Sequence, residues 1–398
     1  MAVKTLTRVI LGALVGAVAS YIVFLAVLAF PHCQNQVIYL NRVSLTWFQD
    51  VSIPEQWGFL HNQVSSFSLN TQDGETLQAW HILPLGLYQK HEHRLSEEQP
   101  GQRKEITTSI SFQLLHDDPE ALLVLYFHGA AGTLGSGWRP PSYRAMSAAA
   151  PDNIHTVAID YRGFGASTGT PSEQGLLTDA VTLTEWALEV AGIPASRIVL
   201  FGQSLGTAVA ISLAHHLATR PDPVLFSGMV LVAPMVDVKM LTATYRIAGV
   251  VPILGPVARF PRILAWLNTF IRDKWSSKDK MVEFVHICEQ LEGNHSKYYI
   301  AILHAEDDYD VPWFHSELLF WQAVNASQSH GTSPEALDGK TQLTKIPLGA
   351  AGWAMNQKTR RGAIKKHILK HGFHDKIMSY PIMSLEVLNA FRLASNGA

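Results

Sequence analysis

One stretch limits the fold of this chain more than any other. Arg197-Ile-Val-Leu-Phe-Gly-Gln-Ser-Leu-Gly-Thr-Ala-Val-Ala210 reads as a short apolar strand, a turn of small residues and a helix. Its centre, Gly202-Gln203-Ser204-Leu205-Gly206, is a G-x-S-x-G pentapeptide, the pattern of a nucleophile elbow. A serine on so sharp a turn sits in a strained backbone. Large side chains two residues either side would collide, hence glycine at 202 and 206. The turn lifts the hydroxyl above the sheet edge and points the free N–H groups of the next helix at a reacting oxygen. The same five letters also arise by chance as a plain glycine-rich turn. The flanks decide: Ile198 to Phe201 suits a buried parallel strand, and Leu205 to Leu217 is Ala-rich and helical. Ser204 is the expected nucleophile.

A serine nucleophile needs donors for the oxyanion. Ala121-Leu-Leu-Val-Leu-Tyr-Phe127 reads as a buried strand running into His128-Gly129-Ala130-Ala131-Gly132. The residue after His-Gly, Ala130, is placed to give its backbone N–H, and Leu205 gives the other. Two such donors, aimed beforehand, are worth a few kcal/mol each in the transition state. The small side chains at 129 to 132 let the backbone come close; the same composition also suits an ordinary strand-to-helix turn.

It also needs a histidine base and a carboxylate to orient that base. Tyr299 to His304 reads as a strand, followed by Ala305-Glu306-Asp307-Asp308-Tyr309-Asp310-Val311-Pro312. The D-x-x-V-P spacing selects Asp308, with Asp307 second and Asp237, after the preceding strand, third. Late in the chain, Leu369-Lys-His-Gly-Phe-His-Asp375 offers His371 and His374. Gly372 would permit the turn that aims His374 at Ser204. His367, His371 and His374 could also be read as a metal cluster, but no acidic ligand is evident beside them and this chemistry needs none. No cofactor is expected.

Elsewhere the pattern is that of alternating strands and helices, an α/β chain with a mostly parallel sheet. Val64 to Leu69 and Leu77 to Leu83 alternate as strands about an Asp73-Gly74 turn. Gln89 to Asp118 is polar and reads as a solvated excursion; His91 and His93 within it make a poor metal site. His155 to Asp160 is a further strand. Its H-x4-D match puts the two residues on opposite faces, so it is read as accidental. Asp160 and Arg162 are expected to tie down the loop that follows. Leu176 to Val190 reads as an amphipathic helix and Gly228 to Val232 as a strand. About 237–297 the pattern changes. Ile247 to Ile271 is apolar, with Pro252, Pro256 and Pro261 and interleaved Arg259 and Arg262, which argues against a second span and for a cap able to cover an acyl chain and dip into lipid. Residues 326–370 read as a long irregular surface insertion.

Val9 to Phe30 is an uncharged stretch of 22 residues, long enough to cross a bilayer and too long for most signal-peptide cores. Lys4 and Arg8 precede it, so residues 1–8 form a cytosolic tail and the rest faces the lumen or exterior. Residues 31–60 read as a juxtamembrane connector and 61–398 as the catalytic domain. The sequons at Asn294 and Asn325 agree with that side. The net charge is -2 with no basic block, which argues against nucleic acid as a partner. Cys33 and Cys288, the two cysteines, make neither a disulfide framework nor a zinc site.

Together these residues resemble the membrane-anchored α/β-hydrolases of the lysophosphatidylserine lipase and monoacylglycerol lipase type. The likeness rests on Tyr126-Phe-His-Gly-Ala-Ala-Gly-Thr133, Asp160-Tyr-Arg-Gly-Phe-Gly165, Gly169-Thr-Pro-Ser-Glu173, Gly202-Gln-Ser-Leu-Gly-Thr207, Ile302-Leu-His-Ala-Glu-Asp-Asp308 and the anchor. It implies an α/β-hydrolase fold with a cap, Ser204, Asp308 and His374 as a triad, and a lumenal active site, in the endoplasmic reticulum, acting on single-chain glycerolipids at the membrane. Two positions depart from the pattern: Ala130 stands where the loop usually has asparagine and Gln203 where the elbow usually has histidine. Backbone donation survives both. A peptidase or thioesterase on the same triad, or a tethered binding protein, are the rival readings.

Overall fold

The computed structural model describes the chain except for residues 1, 45, 245, 248–250, 253, 292–296, 329–344 and 396–398. Eleven strands form one sheet: β1 Val64–Asn70, β2 Thr76–Ile82, β3 Gln102–Arg103, β4 Leu122–Phe127, β5 Ile154–Ile159, β6 Ile198–Gln203, β7 Gly228–Val232, β8 Tyr298–Ala305, β9 Ile346–Pro347, β10 Gly352–Lys358 and β11 Gly362–Leu369. Their order is β9-β10-β11-β8-β7-β6-β4-β5-β2-β1-β3. From β5 across to β11 every neighbour runs parallel.

These central strands are apolar runs because both of their faces are covered. On β4, Leu123, Leu125 and Phe127 enter one core, and Val124 and Tyr126 the other. The first core is closed by α1 Glu173–Glu185, α2 Leu205–Ala218, α3 Ser277–Gln290 and α4 Phe314–Ala326. The second lies under Arg139–Met146 and the C-terminal helix Pro381–Ser395. The chain leaves β4 for β5 on one side and returns to β6 on the other. The order therefore switches beside β4, and the carboxyl ends of β4 and β6 open a crevice there.

Three expectations change. The polar stretch 89–118 is folded: it holds most of a helix Leu85–Ser96, strand β3 and a helix Ile110–His116, with Leu95, Phe112 and Leu115 buried. The 326–370 stretch is no surface insertion at its C-terminal end, since β10 and β11 extend the sheet. Lysines hid them. Lys366 is buried, pairs with Glu317 at 2.5 Å and lies 4.5 Å from the Phe320 ring centre. The cap also ends early. Within 237–297, α3 buries Met281, Phe284, Val285 and Cys288 in the sheet's helical layer, and the described residues that reach over the crevice are Val238, Leu241, Thr242 and Leu254.

The N-terminal helix Ala2–Leu28 contains the apolar segment Lys4–Leu28, long and apolar enough to cross a membrane. A short helix, Pro31–Ile38, follows. The connector then becomes part of the domain: the buried Tyr39 hydroxyl donates to Asp273 at 2.6 Å. Asn294 lies outside the described residues, and Asn325 is half-buried in the last turn of α4.

Candidate active site

Ser204 stands between β6 and α2 with φ 52° and ψ -119°, a conformation that non-glycine residues avoid. The flanking glycines are there because nothing larger fits. A Cβ on Gly206 would sit 1.9 Å from the Phe127 carbonyl oxygen, and one on Gly202 would sit 2.5 Å from the Gly206 oxygen. The elbow is thus wedged against β4, whose end carries His128 and Gly129.

The loop after β4 is bound from behind. Ala131 and Gly132 donate their N–H groups to the carbonyls of Tyr39 and Val43 at 2.9 and 2.8 Å. The buried Arg139 guanidinium donates to the carbonyls of Gly129, Ala130, Ala131 and Thr133 at 2.5 to 3.2 Å. With the carbonyls drawn to one side, the Ala130 N–H has no internal acceptor among the described residues. Ala130 and Leu205, the two expected oxyanion donors, both line the same cavity as Ser204.

The two aspartates after β8 divide the work. Asp308 accepts from His374 Nδ1 at 2.7 Å, from His304 Nε2 at 3.1 Å, and from the N–H groups of Asp310 and Val311 at 2.9 Å. Asp307 accepts from the N–H groups of Gly372 and Phe373 at 2.9 and 2.8 Å and contacts His371 at 3.2 Å. One carboxylate holds the imidazole and the other holds the loop that carries it. Asp237 does neither: it accepts from the Met240 N–H at 2.7 Å and caps the helix Val238–Thr244. The left-handed residue of the histidine loop is Phe373, φ 48°, not Gly372. Gly372 is small for another reason, since a Cβ there would meet the Ile377 Cβ at 2.8 Å.

Electrostatics follow from this packing. Burial pushes the Asp308 carboxyl up, but His374 and His304 outweigh it and hold it well below the usual carboxylate range. Burial pulls His374 down, and the charge and hydrogen bond of Asp308, with Asp375 and Asp310 behind them, bring it up to about 9. His374 therefore has a raised proton affinity with Nδ1 committed to Asp308, which leaves Nε2 as its other ring nitrogen.

A cavity of about 300 Å³ joins these parts. Ser204, His374, Ala130 and Leu205 line it, with Arg139, Asp310 and Asp375 as its charged members. Its remaining wall is largely apolar, supplied by Leu28, Val37, Ile38, Met235, Val238 and Leu254.

The family model that matches residues 123–341 is that of the alpha/beta hydrolase family. The chain belongs to this family. Among curated proteins the hydrolase is similar to the lysophosphatidylserine lipase ABHD12 of Danio rerio, 28% identical over 301 residues, covering 76% of this chain and 69% of the relative. The lysophosphatidylserine lipase ABHD12 of Mus musculus is 29% identical over 286 residues, covering 71% and 62%. The matched region thus spans between three fifths and seven tenths of these relatives' length. Among solved structures, an alpha-beta hydrolase from Vibrio vulnificus aligns at 17% identity with a TM-score of 0.49, covering 73% of this chain and 81% of that one.

Several residues of the hydrolase site were silent in the sequence. Gln203, noted there only as a departure, donates its side-chain amide to Asp375 at 3.0 Å and to the His374 carbonyl at 3.3 Å. Arg139 gave no signal, because an arginine that opens a helix reads as surface. The three late histidines separate: His367 meets Glu386 at 3.2 Å, His371 meets Asp307 and His374 meets Asp308. Arg162, as expected, ties its loop to Asp179 and Asp73. His155 faces His81 at 3.0 Å while Asp160 contacts His128 at 3.2 Å, so the H-x4-D residues do separate things. Among the described residues no group of three or more His, Cys, Asp or Glu is placed to hold a metal ion.

Proposed function

We propose that the protein is a membrane-anchored serine hydrolase that cleaves the carboxylic ester of single-chain glycerolipids, a lysophospholipid or a monoacylglycerol. Ser204 Oγ attacks the ester carbonyl carbon and its proton passes to His374 Nε2. The carbonyl oxygen becomes an oxyanion facing the N–H groups of Ala130 and Leu205. The oxyanion collapses, the bond to the glycerol oxygen breaks, and His374 returns its proton to that oxygen. Water then attacks the acyl-serine by the same steps, releasing the fatty acid and restoring Ser204. Asp308 fixes the imidazole and balances its charge throughout.

The observation that carries this reading is the convergence at one cavity. The Asp308–His374 pair, the strained Ser204 and the loop held by Arg139 meet where the wall is otherwise apolar. An apolar wall ending in an ester-cleaving set suits a hydrocarbon chain with an ester at its head. The names of the curated relatives point the same way. Lys4 and Arg8 before the span support a cytosolic tail with the catalytic domain on the opposite side of the membrane, and the endoplasmic reticulum is the proposed location. Purified full-length protein in vesicles, assayed against lysophosphatidylserine, monoacylglycerol, acyl-thioester and peptide, tests the class. Turnover of the lipid esters is expected, and turnover of peptide alone would overturn it.

A further inference from the structure

The anchor does more than tether. Tyr21, Leu25 and Leu28 are half-buried while Ile22, Val23 and Phe24 between them are exposed. Spacing of four and three residues puts the covered ones on a single helical face. That face meets the cap: the Val257 backbone hydrogen-bonds the Tyr21 hydroxyl. A second cavity of about 80 Å³ lies between Leu25, Leu28 and Ala29 of the anchor and Leu267, Phe270 and Ile271 of the cap. It shares the walls Leu28, Val37, Ile38, Val238, Thr242 and Leu254 with the cavity of Ser204, so the two cavities are neighbours across a mostly apolar wall between the elbow and the membrane helix.

Depth follows from helix geometry. At 1.5 Å per residue, the uncharged stretch ending at Phe30 is about as long as the hydrocarbon core is thick. Tyr21 lies roughly 13 Å before the end of that stretch, so the cap segment packed beside it reaches below the membrane surface. The outer surface of the cap agrees. Phe260, Ile263, Trp266 and Phe270 are 59%, 48%, 60% and 42% exposed, spaced along one side of the helix Pro261–Asn268 and its ends. Arg259, Arg262 and Arg272 are exposed beside them, as on helices that lie in an anionic interface.

We propose that the end of the anchor and the cap together form an acyl-chain site open sideways to the bilayer, so that a single-chain lipid reaches Ser204 from within its own leaflet. The occupant is the linear hydrocarbon tail, held by Leu25 and Leu28 on one side and Leu254 and Leu267 on the other. This rests on Ser204 as the nucleophile.

Two measurements on the full chain in phosphatidylcholine vesicles test it. The first compares kcat/KM for an eighteen-carbon and a butyryl monoacylglycerol. Leu28→Trp should lower the long-to-short ratio at least about tenfold, while Val23→Trp, on the exposed face, keeps the wild-type ratio. An unchanged ratio in Leu28→Trp overturns the proposal; failure of the wild-type chain to cleave either ester would instead sink the reading of Ser204. The second needs no turnover. A lysolipid with a diazirine at its tail should, on illumination, attach to Leu25, Leu28 or Leu267. Attachment confined to other segments overturns the proposal even if the enzyme is active.

Discussion

Gln203 and Asp375 are joined across the site: the glutamine amide donates to the carboxylate at 3.0 Å and, beside it, to the His374 carbonyl at 3.3 Å. The residue just before Ser204 thus fastens the loop that carries His374. A hydrogen bond to a charged partner is worth about 1.5–3 kcal/mol. Gln203→Leu should lower kcat roughly tenfold or more with a smaller change in KM, because it loosens the loop that carries the imidazole while keeping a side chain of similar size on the cavity wall. Steady-state kinetics with one lipid ester checks this. A rise in KM alone would mean that Gln203 contacts substrate instead.

The division between the two neighbouring aspartates gives an ordering. Asp308→Asn removes the carboxylate that holds His374 Nδ1 and should cost about 10³–10⁴ in kcat with the fold intact. Asp307→Ala frees two loop N–H groups and should cost nearer tenfold, with stability falling by about 1–3 kcal/mol. Parallel kinetics and thermal unfolding of the two variants distinguish the roles. The reverse ordering would make Asp307 the partner of the base.

The base must be neutral to accept the serine proton. Anions raise the proton affinity of His374 to about 9, so activity should rise with pH along a limb placed above the ordinary histidine range. Removing a neighbouring anion destabilises the imidazolium and lowers that value. Asp375→Asn and Asp310→Asn should both move the limb of kcat/KM to lower pH, Asp375→Asn the further, since it is the larger influence. A shift to higher pH in either would show that the titrating group is not this histidine.

Arg139 is buried and gives its guanidinium to four carbonyls of the loop after β4. Arg139→Met leaves those oxygens unpaired and should lower stability by at least about 2 kcal/mol. Arg139→Lys keeps the charge but not the planar fork, so it should fold and yet lose kcat. Calorimetry with kinetics reads both. Wild-type kcat in Arg139→Lys would show that the loop holds its shape without the fork.

Some of this was legible in the sequence and some was not, for physical reasons. The elbow shows because a Cβ at Gly206 or Gly202 would sit 1.9 or 2.5 Å from a backbone oxygen, which leaves room for glycine alone. Asp308 shows because its carboxylate caps its own turn through Asp310 and Val311, which fixes the D-x-x-V-P spacing. The strand pair β10 and β11 did not show. Its inward lysine, Lys366, is neutralised by Glu317 on α4, a partner 49 residues away that no local pattern marks. The helix over residues 85–96 was masked in the same way by a charged outer face over buried Leu87, Tyr88 and Leu95. Pairings such as Gln203 with Asp375, 172 positions apart, exist only once the sheet has formed.

The proposed reaction begins at Ser204 Oγ. The most direct measurement is covalent labelling of vesicle-reconstituted protein with a lipid-tailed fluorophosphonate, mapped by peptide mass spectrometry, in wild type and Ser204→Ala. The expected result is one adduct, on Ser204, absent from the folded alanine variant. An adduct on another residue, or equal labelling of the two proteins, would contradict it.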